Sequence, residues 1–337
     1  MVKHIPNMHQ VLSWIKSHLT GESGGGFALS PTFWETDGDA ALLRKNQGFL
    51  TLESANEHCS LASSWKQLIS FDEEEMPDWV ESCDDEASQR IFELDAVRTF
   101  KSSECRRTLV GCLATVYQET ADYHQGLGFI VSFLLLLLPP TSAVETAVLL
   151  HRHRLQGYFK SAPKAYVRDA RALHKVIRQK LPHVADKLEE LSIVPEMYMS
   201  KWFVGLNVHV LNYEQLIQFF DLVVRYGKTA LFGFGLALIR VCEPHIMLRK
   251  TDTQVLLAIL RLDDKEFVST LDDDLREDLC ERILLQTVTA IEEMDEETIE
   301  KATKEAEADL AEEADARKRR EEEMEEYSDD IVFSDEE

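Results

Sequence analysis

One long segment sets the architecture of this chain: Asp122-Tyr-His-Gln-Gly-Leu-Gly-Phe-Ile-Val-Ser-Phe-Leu-Leu-Leu-Leu-Leu138, followed by Pro139 and Pro140. In its last twelve residues, 127–138, only Gly128 and Ser132 are not strongly apolar. A helix that is apolar on every side lies in a protein core or in a membrane. Twelve residues make about 18 Å of helix, whereas a bilayer core is about 30 Å thick. The stretch therefore predicts a buried central helix that the two prolines end.

Polar side chains precede this apolar run. Tyr123 and Gln125 are expected at the N-terminal end of the helix, where it leaves the core and reaches the surface. A side chain on so well anchored a helix end is held rigidly, as a catalytic amide must be.

Composition and charge limit the classes of function. The chain has 337 residues, of which 45% are hydrophobic, enough for one large or two moderate domains. Its net charge is -25, and residues 295–337 alone hold 20 acidic and 6 basic residues. The remainder is moderately acidic. No domain-wide basic surface is available, so nucleic acid is not expected as a partner.

Cysteines, histidines and glycines give no sign of a cofactor site. The six cysteines are scattered without a CxxC pair, and the first nineteen residues predict an amphipathic helix rather than a signal peptide. We therefore expect reduced thiols in the cytosol. No set of residues has metal-ligand spacing, so no metal site is predicted. Gly24-Gly25-Gly26 lacks the Lys-Ser/Thr of a phosphate-binding loop, so the chain is not expected to bind GTP itself.

Apolar residues recur at helical spacing along the chain, and strand-like alternation is absent, so the fold class is all-α. The predicted helices cover about residues 54–69, 103–118, 142–151, 169–179, 184–191, 201–210, 213–226, 229–242 and 252–260. Three parts follow: an N-terminal helix and irregular segment (1–53), a helical domain (54–290) divided near residue 160, and an acidic tail (291–337).

The acidic tail and a basic segment have opposite charge. Residues 298–326 alternate Ala, Glu, Lys and Arg, which predicts a solvent-exposed helix, and residues 327–337 are expected to be disordered. Residues 151–180 contain nine Lys or Arg and a single acid, Asp169. This segment is either a solvated helical face or a surface for an anionic partner. Such a partner could be a membrane, an acidic region of another protein, or the tail of this chain.

Three motifs occur in a specific order. Phe92-x-x-Asp95-x-x-Arg98-Thr99-Phe100 comes first, Tyr123-x-Gln125-Gly126 then opens the apolar helix, and Pro195-Glu-Met-Tyr-Met-Ser-Lys-Trp202-Phe203 precedes Phe220-Asp221 and Gly227. Each motif alone is common, but their order in a helical chain is informative. Over roughly residues 54–245 the chain resembles a TBC domain, the GTPase-activating module for Rab small GTPases.

The resemblance implies an array of about 14–17 helices in two subdomains and a mechanism with two inserted side chains. Arg98 would reach the phosphates of the GTPase-bound nucleotide, and Gln125 would position the attacking water. Hydrolysis builds negative charge on phosphate oxygens, which a planar, permanently charged guanidinium meets. An amide can both donate and accept hydrogen bonds, as a water-positioning group must.

Neighbouring residues would support these two. Asp95 is expected to hold the loop that carries Arg98 through local hydrogen bonds, and Tyr123 to pack and frame the pocket. Thr99 and Gly126 complete the supporting set that the motifs imply.

The chain departs from the family pattern at several positions. Phe92 replaces an isoleucine, Val97 a frequent proline, Leu61 an arginine, Gly128 a frequent asparagine, and Phe220 a tryptophan. Two alternatives to a catalytic activator therefore stay open. One is a non-catalytic TBC-like module that binds a Rab or acts as a scaffold, and the other is an unrelated helical adaptor that uses its acidic tail.

The resemblance also implies partners and a location. The expected partner is a Rab-type small GTPase in its GTP-bound state, and GTP and Mg²⁺ would belong to that partner. The chain would have no reaction on a substrate of its own. It would be cytoplasmic and associate with endomembranes peripherally, through the Rab, in vesicle transport.

Overall fold

A computed structural model describes residues 52–70, 72–162, 164–208, 210–248, 252–262 and 273–332. The predicted helix within residues 1–19 and the glycine-rich break at 21–26 lie outside the described residues. The described part holds thirteen α-helices, one 3₁₀ turn and no strand, which confirms the all-α prediction. The predicted number of 14–17 helices refers to the whole chain.

The helices in chain order are α1 (Leu52–Ile69), α2 (Glu86–Thr99), α3 (Ser103–Thr120), α4 (Gln125–Leu135), α5 (Pro140–His153), α6 (Lys164–Lys180), α7 (Pro182–Glu190), α8 (Ser200–Phe203), α9 (Tyr213–Tyr226), α10 (Lys228–Ile246), α11 (Thr253–Arg261), α12 (Asp273–Glu293) and α13 (Glu296–Val332). The 3₁₀ turn, Pro195–Met197, lies between α7 and α8. Helices α1–α5 pack on one another, and α9 returns along the chain to pack on α1. One continuous hydrophobic core joins all these elements, and the predicted division near residue 160 stays a prediction.

The central helix is buried as predicted. Helix α4 contacts α2, α3 and α5, and its residues from Gly126 to Leu135 are buried except Phe129. It ends at Leu135, three residues before the predicted end, and the next three leucines form a buried turn. Pro139 then caps α5 and Pro140 occupies its first turn, where a missing N–H costs nothing.

Helix α10 is the core helix of the second half of the domain. Among the described helices it alone has the length and hydropathy of a membrane span, but 72% of that stretch is buried inside the protein. It packs along α12, and its Gly233 allows Ile291 of α12 to approach closely. Both properties are those of a buried helix in a folded domain.

The predicted helix over residues 201–210 is wrong beyond its first turn. Helix α8 covers only Ser200–Phe203, and the chain then turns with positive φ at Leu206 and Asn207. Gly205 weakens the helix, and asparagine tolerates the left-handed conformation better than most residues. The apolar residues that suggested a helix, Leu206, Val208 and Val210, are still buried, but they reach the core from a turn.

The prediction of a fully exposed C-terminal helix is also wrong for its first three turns. Ile299, Ala302, Thr303 and Ala306 of α13 are buried, because this part packs along α6. Small alanines let the two helices approach, so few large apolar residues are needed. The helix is mostly exposed over residues 307–324 and continues to Val332, so the prediction of disorder is wrong for residues 327–332.

Acidic residues of α13 bind the basic face of α6. Arg168 pairs with Glu307 at 3.2 Å, Lys175 with Asp309 at 2.7 Å, and Arg171 with Glu313 at 2.6 Å. Of the anionic partners considered for the basic segment, the tail of this chain therefore occupies its α6 part in this structure.

Candidate functional site

Helix α2 carries the first motif. Asp85 caps its N-terminus by accepting from the Ser88 N–H at 2.8 Å, and Phe92 is fully buried. Asp95 and Arg98 follow on the last two turns, so the expectation of a loop carrying Arg98 is wrong. The motif spacing of three is the spacing at which two side chains share one face of a helix.

The second motif opens α4. His124 is the N-cap residue, and its Nδ1 accepts from the Gly126 N–H at 3.0 Å. Burial lowers the pKa of His124, and the carboxylate of Asp122 opposes this effect. The neutral imidazole is the form that can accept this hydrogen bond. Gly126 is required here, because a Cβ would lie 2.6 Å from the Val204 carbonyl oxygen that follows α8.

The two motifs meet at the carboxylate of Asp95, whose side chain is only 6% exposed. Arg98 Nη1 lies 3.2 Å and Gln125 Nε2 lies 3.3 Å from Asp95 Oδ1. Tyr123 donates its hydroxyl to Asp95 Oδ2 at 2.9 Å. The structure thus brings Arg98 and Gln125 together, and one buried carboxylate joins them.

Both candidate side chains remain accessible to a partner. The Arg98 side chain is 64% exposed, and Gln125 is also exposed. A carboxylate only accepts hydrogen bonds, so the nitrogen of the Gln125 amide must face Asp95. The Gln125 oxygen is then the atom that is left to accept a hydrogen bond from a bound water.

Tyr123 and Gly128 form a matched pair. Tyr123 is buried, its ring meets Phe92 edge to face at 4.8 Å, and its hydroxyl would lie 2.5 Å from a Cβ at Gly128. Burial, and then the charge of Asp95, raise the pKa of Tyr123, so the hydroxyl keeps the proton that it donates. Phe92 and Gly128 both depart from the family pattern, and both contact Tyr123: Phe92 packs on its ring, and Gly128 leaves room for its hydroxyl.

Other predicted residues have structural positions. Thr99 donates its hydroxyl to the Asp95 carbonyl oxygen at 2.7 Å, which ties the last turn of α2. Trp65, in α1, donates to Asp221 of α9 at 3.1 Å and stacks on Phe220. This pair fixes α9 on α1 and does not contribute to the site at Asp95.

Sequence reasoning missed a further wall of the site, beside Gln125. A cavity of about 170 Å³ beside Gln125 is lined by Phe129 of α4 and by Ser200, Lys201 and Val204 in or just after α8. The motif around Trp202 was recognised, but only the fold places its neighbours against the start of α4. Among the described residues, no group of three or more His, Cys, Asp or Glu is arranged to hold a metal ion.

Comparison with known proteins identifies the family. The model of the Rab-GTPase-TBC domain matches residues 49–247, more than half of the chain. The chain belongs to this family. It is 32% identical over 165 residues to the growth hormone-regulated TBC protein 6 of Caenorhabditis elegans, covering 46% of this chain and 49% of that protein. It is 29% identical over 127 residues to mouse Carabin, covering 38% of this chain and 29% of that protein.

Solved structures of TBC domains have the same fold. The TBC domain of a Chlamydomonas flagellar RabGAP matches with a TM-score of 0.50 and 19% identity, over 85% of each chain. The Ypt/Rab-GAP domain of Gyp1p matches with a TM-score of 0.50 and 13% identity, over 86% of this chain and 94% of that one. At these identities the likeness concerns the fold. In sequence, the alignments span about half or less of the two curated relatives.

Proposed function

We propose that this TBC-family chain accelerates GTP hydrolysis by a Rab-type small GTPase, with Arg98 and Gln125 as the residues inserted into the GTPase site. The observation that carries the proposal is the meeting of these two exposed side chains at the buried Asp95 carboxylate. Names of relatives agree with it, since one is a GTPase activating protein, Gyp51 of Schizosaccharomyces pombe.

Arg98 would stabilise charge in the transition state. Its long contact with Asp95 and its exposure leave the guanidinium able to turn outward when a GTPase closes over it. There it meets the negative charge that grows on the phosphate oxygens. An arginine supplied in trans is worth about 10³–10⁵ in rate, or about 4–7 kcal/mol of the barrier.

Gln125 would orient the attacking water. Asp95 holds the amide nitrogen, the start of α4 holds the backbone, and the amide oxygen is left as the acceptor. A water that donates to this oxygen is fixed in direction before hydrolysis begins, which lowers the entropic part of the barrier. Asp95 and Tyr123 act through these two residues as positioning residues.

GTP and Mg²⁺ belong to the partner in this proposal, which binds in its GTP-bound state. The chain supplies groups in trans and holds no nucleotide. We place the complex in the cytoplasm, on endomembranes that carry the GTPase, where ending the GTP-bound state would regulate vesicle transport.

Single-turnover hydrolysis tests the proposal. A panel of GTP-loaded Rab proteins is mixed with wild type, Arg98→Ala, Arg98→Lys and Gln125→Ala. We expect wild type to stimulate at least one Rab, and Arg98→Ala to lose about 10³-fold of that stimulation. Arg98→Lys loses most of it because an ammonium lacks the planar fork. Gln125→Ala loses about 10²–10³-fold, as when one transition-state hydrogen bond is removed.

Matched controls remove an arginine and a glutamine that lie on another helix. Arg282 and Gln286 are exposed on α12, and their alanine variants are expected to stimulate as wild type does. A wild type that binds GTP-loaded Rab without stimulating it overturns the catalytic proposal in favour of a binding module. Stimulation that survives both Arg98→Ala and Gln125→Ala overturns the assignment of the two residues.

A further inference from the structure

Helix α2 has an exposed apolar surface beside Arg98. Nine large hydrophobic side chains are exposed among the described residues, and three of them lie on this one helix. Ile91 is 45% exposed, Leu94 is 47% and Val97 is 56%. Single exposed apolar side chains are common, but a cluster on one helix face is typical of an interaction site.

The cluster points in the same direction as Arg98. Ile91, Leu94 and Arg98 are three and four residues apart, so they form one line along the helix, and Val97 borders it. On the other side of α2, Phe92 and Ala96 pack into the core, and Asp95 lies buried between that side and Arg98. About half of the surface of Ile91, Leu94 and Val97 therefore stays exposed outside the core.

A protein that receives Arg98 must cover this cluster. Leu94 lies about 6 Å and Ile91 about 10 Å from Arg98 along the helix axis. A standard interface buries about 800 Å² on each partner, which corresponds to a disc of about 16 Å radius. An interface centred on the Arg98 guanidinium therefore extends over both residues. Arg90 and Glu93, which are exposed beside them, then supply the polar rim that such interfaces have.

We infer that Ile91, Leu94 and Val97 form the docking surface for the GTPase, and that an apolar patch next to its nucleotide packs against them. This inference rests on the proposed function. It separates two tasks on one helix: Arg98 acts on the nucleotide, whereas the three apolar residues contribute affinity and select GTPases with a complementary apolar patch. The substitution of the frequent proline by Val97 enlarges this surface.

The test measures affinity and maximal rate separately. Ile91→Asp and Leu94→Asp are titrated against the stimulated Rab in single-turnover hydrolysis, and against the same Rab loaded with a non-hydrolysable GTP analogue in a binding assay. Each substitution would place a carboxylate in an apolar interface. We expect the half-saturating concentration and the Kd to rise about 10- to 100-fold, or about 1.4–2.8 kcal/mol. For Ile91→Asp, about two turns from Arg98, the rate at saturation should stay within about threefold, because the transition-state contacts are kept. Leu94→Asp is read by affinity alone, because its new carboxylate lies one turn from Arg98 and is placed to pair with the guanidinium.

Controls and outcomes separate this inference from the proposed function. Leu248→Asp is the matched control, because Leu248 is 54% exposed after α10, and wild-type affinity is expected. Leu94→Met should also retain affinity. Unchanged affinity in both aspartate variants, with normal stimulation by wild type, overturns the docking surface alone. Binding that the aspartates weaken, without stimulation by wild type, overturns catalysis alone. A wild type that neither binds nor stimulates any Rab overturns both.

Discussion

Two buried aspartates in this protein have nearly the same partners but hold them differently. Asp95 accepts from Tyr123, Arg98 and Gln125, whereas Asp169 of α6 accepts from Tyr158 at 2.7 Å and Arg168 at 2.7 Å and pairs with Lys228 at 3.6 Å. In each cluster a tyrosine hydroxyl binds Oδ2 and an arginine lies at Oδ1. The main difference between the two clusters is how tightly the arginine is held.

The two arginines differ in freedom. Arg98 contacts its aspartate at 3.2 Å with 64% of its side chain exposed. Arg168 is 28% exposed and is held between Asp169 at 2.7 Å and Glu307 of α13 at 3.2 Å. An arginine whose guanidinium is held between two carboxylates has a structural role. An arginine with one long contact and open surroundings can be redirected to a ligand at little cost, so similar motifs have different uses.

The first prediction compares the two aspartates directly. Asp169→Ala should lower the free energy of unfolding by about 3–5 kcal/mol, because it strands the fully buried Tyr158 hydroxyl and the two cations near it. Asp95→Ala should cost only about 1–3 kcal/mol, since Tyr123 alone loses a buried partner. Arg98 and Gln125 are exposed, so water replaces Asp95 as their hydrogen-bond partner in this variant. Urea denaturation measures both costs, and equal costs would contradict the distinction.

The second prediction concerns the tyrosine of the Asp95 cluster. Gly128→Ala places a Cβ 2.5 Å from the Tyr123 hydroxyl. The ring must then shift, and the hydroxyl loses its hydrogen bond to Asp95. Overpacking of this kind costs about 1–3 kcal/mol, partly offset by the higher helix propensity of alanine. Tyr123→Phe should relieve the clash, so the two changes should couple by about 1 kcal/mol in a double-mutant cycle. Strict additivity would show that the pair does not interact.

The third and smallest effect is expected at the outer end of Arg168. Glu307→Gln should cost less than about 1 kcal/mol, because the pair is largely solvated and salt screens it. Glu312→Gln is the matched control, an exposed glutamate of the same helix. Both variants are compared in urea denaturation at low and high salt. A cost that approaches that of Asp169→Ala would mean that Glu307, and not Asp169, holds Arg168.

The errors of the sequence-based predictions have specific physical causes. Residues 201–210 alternate apolar residues with Gly205 and Asn207, and the pattern does not tell whether burial comes from a helix or from turns. The first turns of α13 look too poor in apolar residues to pack, but alanines suffice when the facing helix can approach. Arg98 lies on a helix because α2 begins at the Asp85 cap and continues to Thr99, past the motif.

Local sequence patterns were sufficient to predict the helical class, the buried α4 with its polar start, and the two motifs that carry Arg98 and Gln125. These follow from local periodicity, from proline and from the order of short motifs, all of which are properties of neighbouring residues. Three features depend on tertiary packing: both motifs meet at Asp95, Tyr123 fills the space above Gly128, and α13 binds α6. No local sequence pattern predicts these contacts, because each one depends on how the whole chain packs.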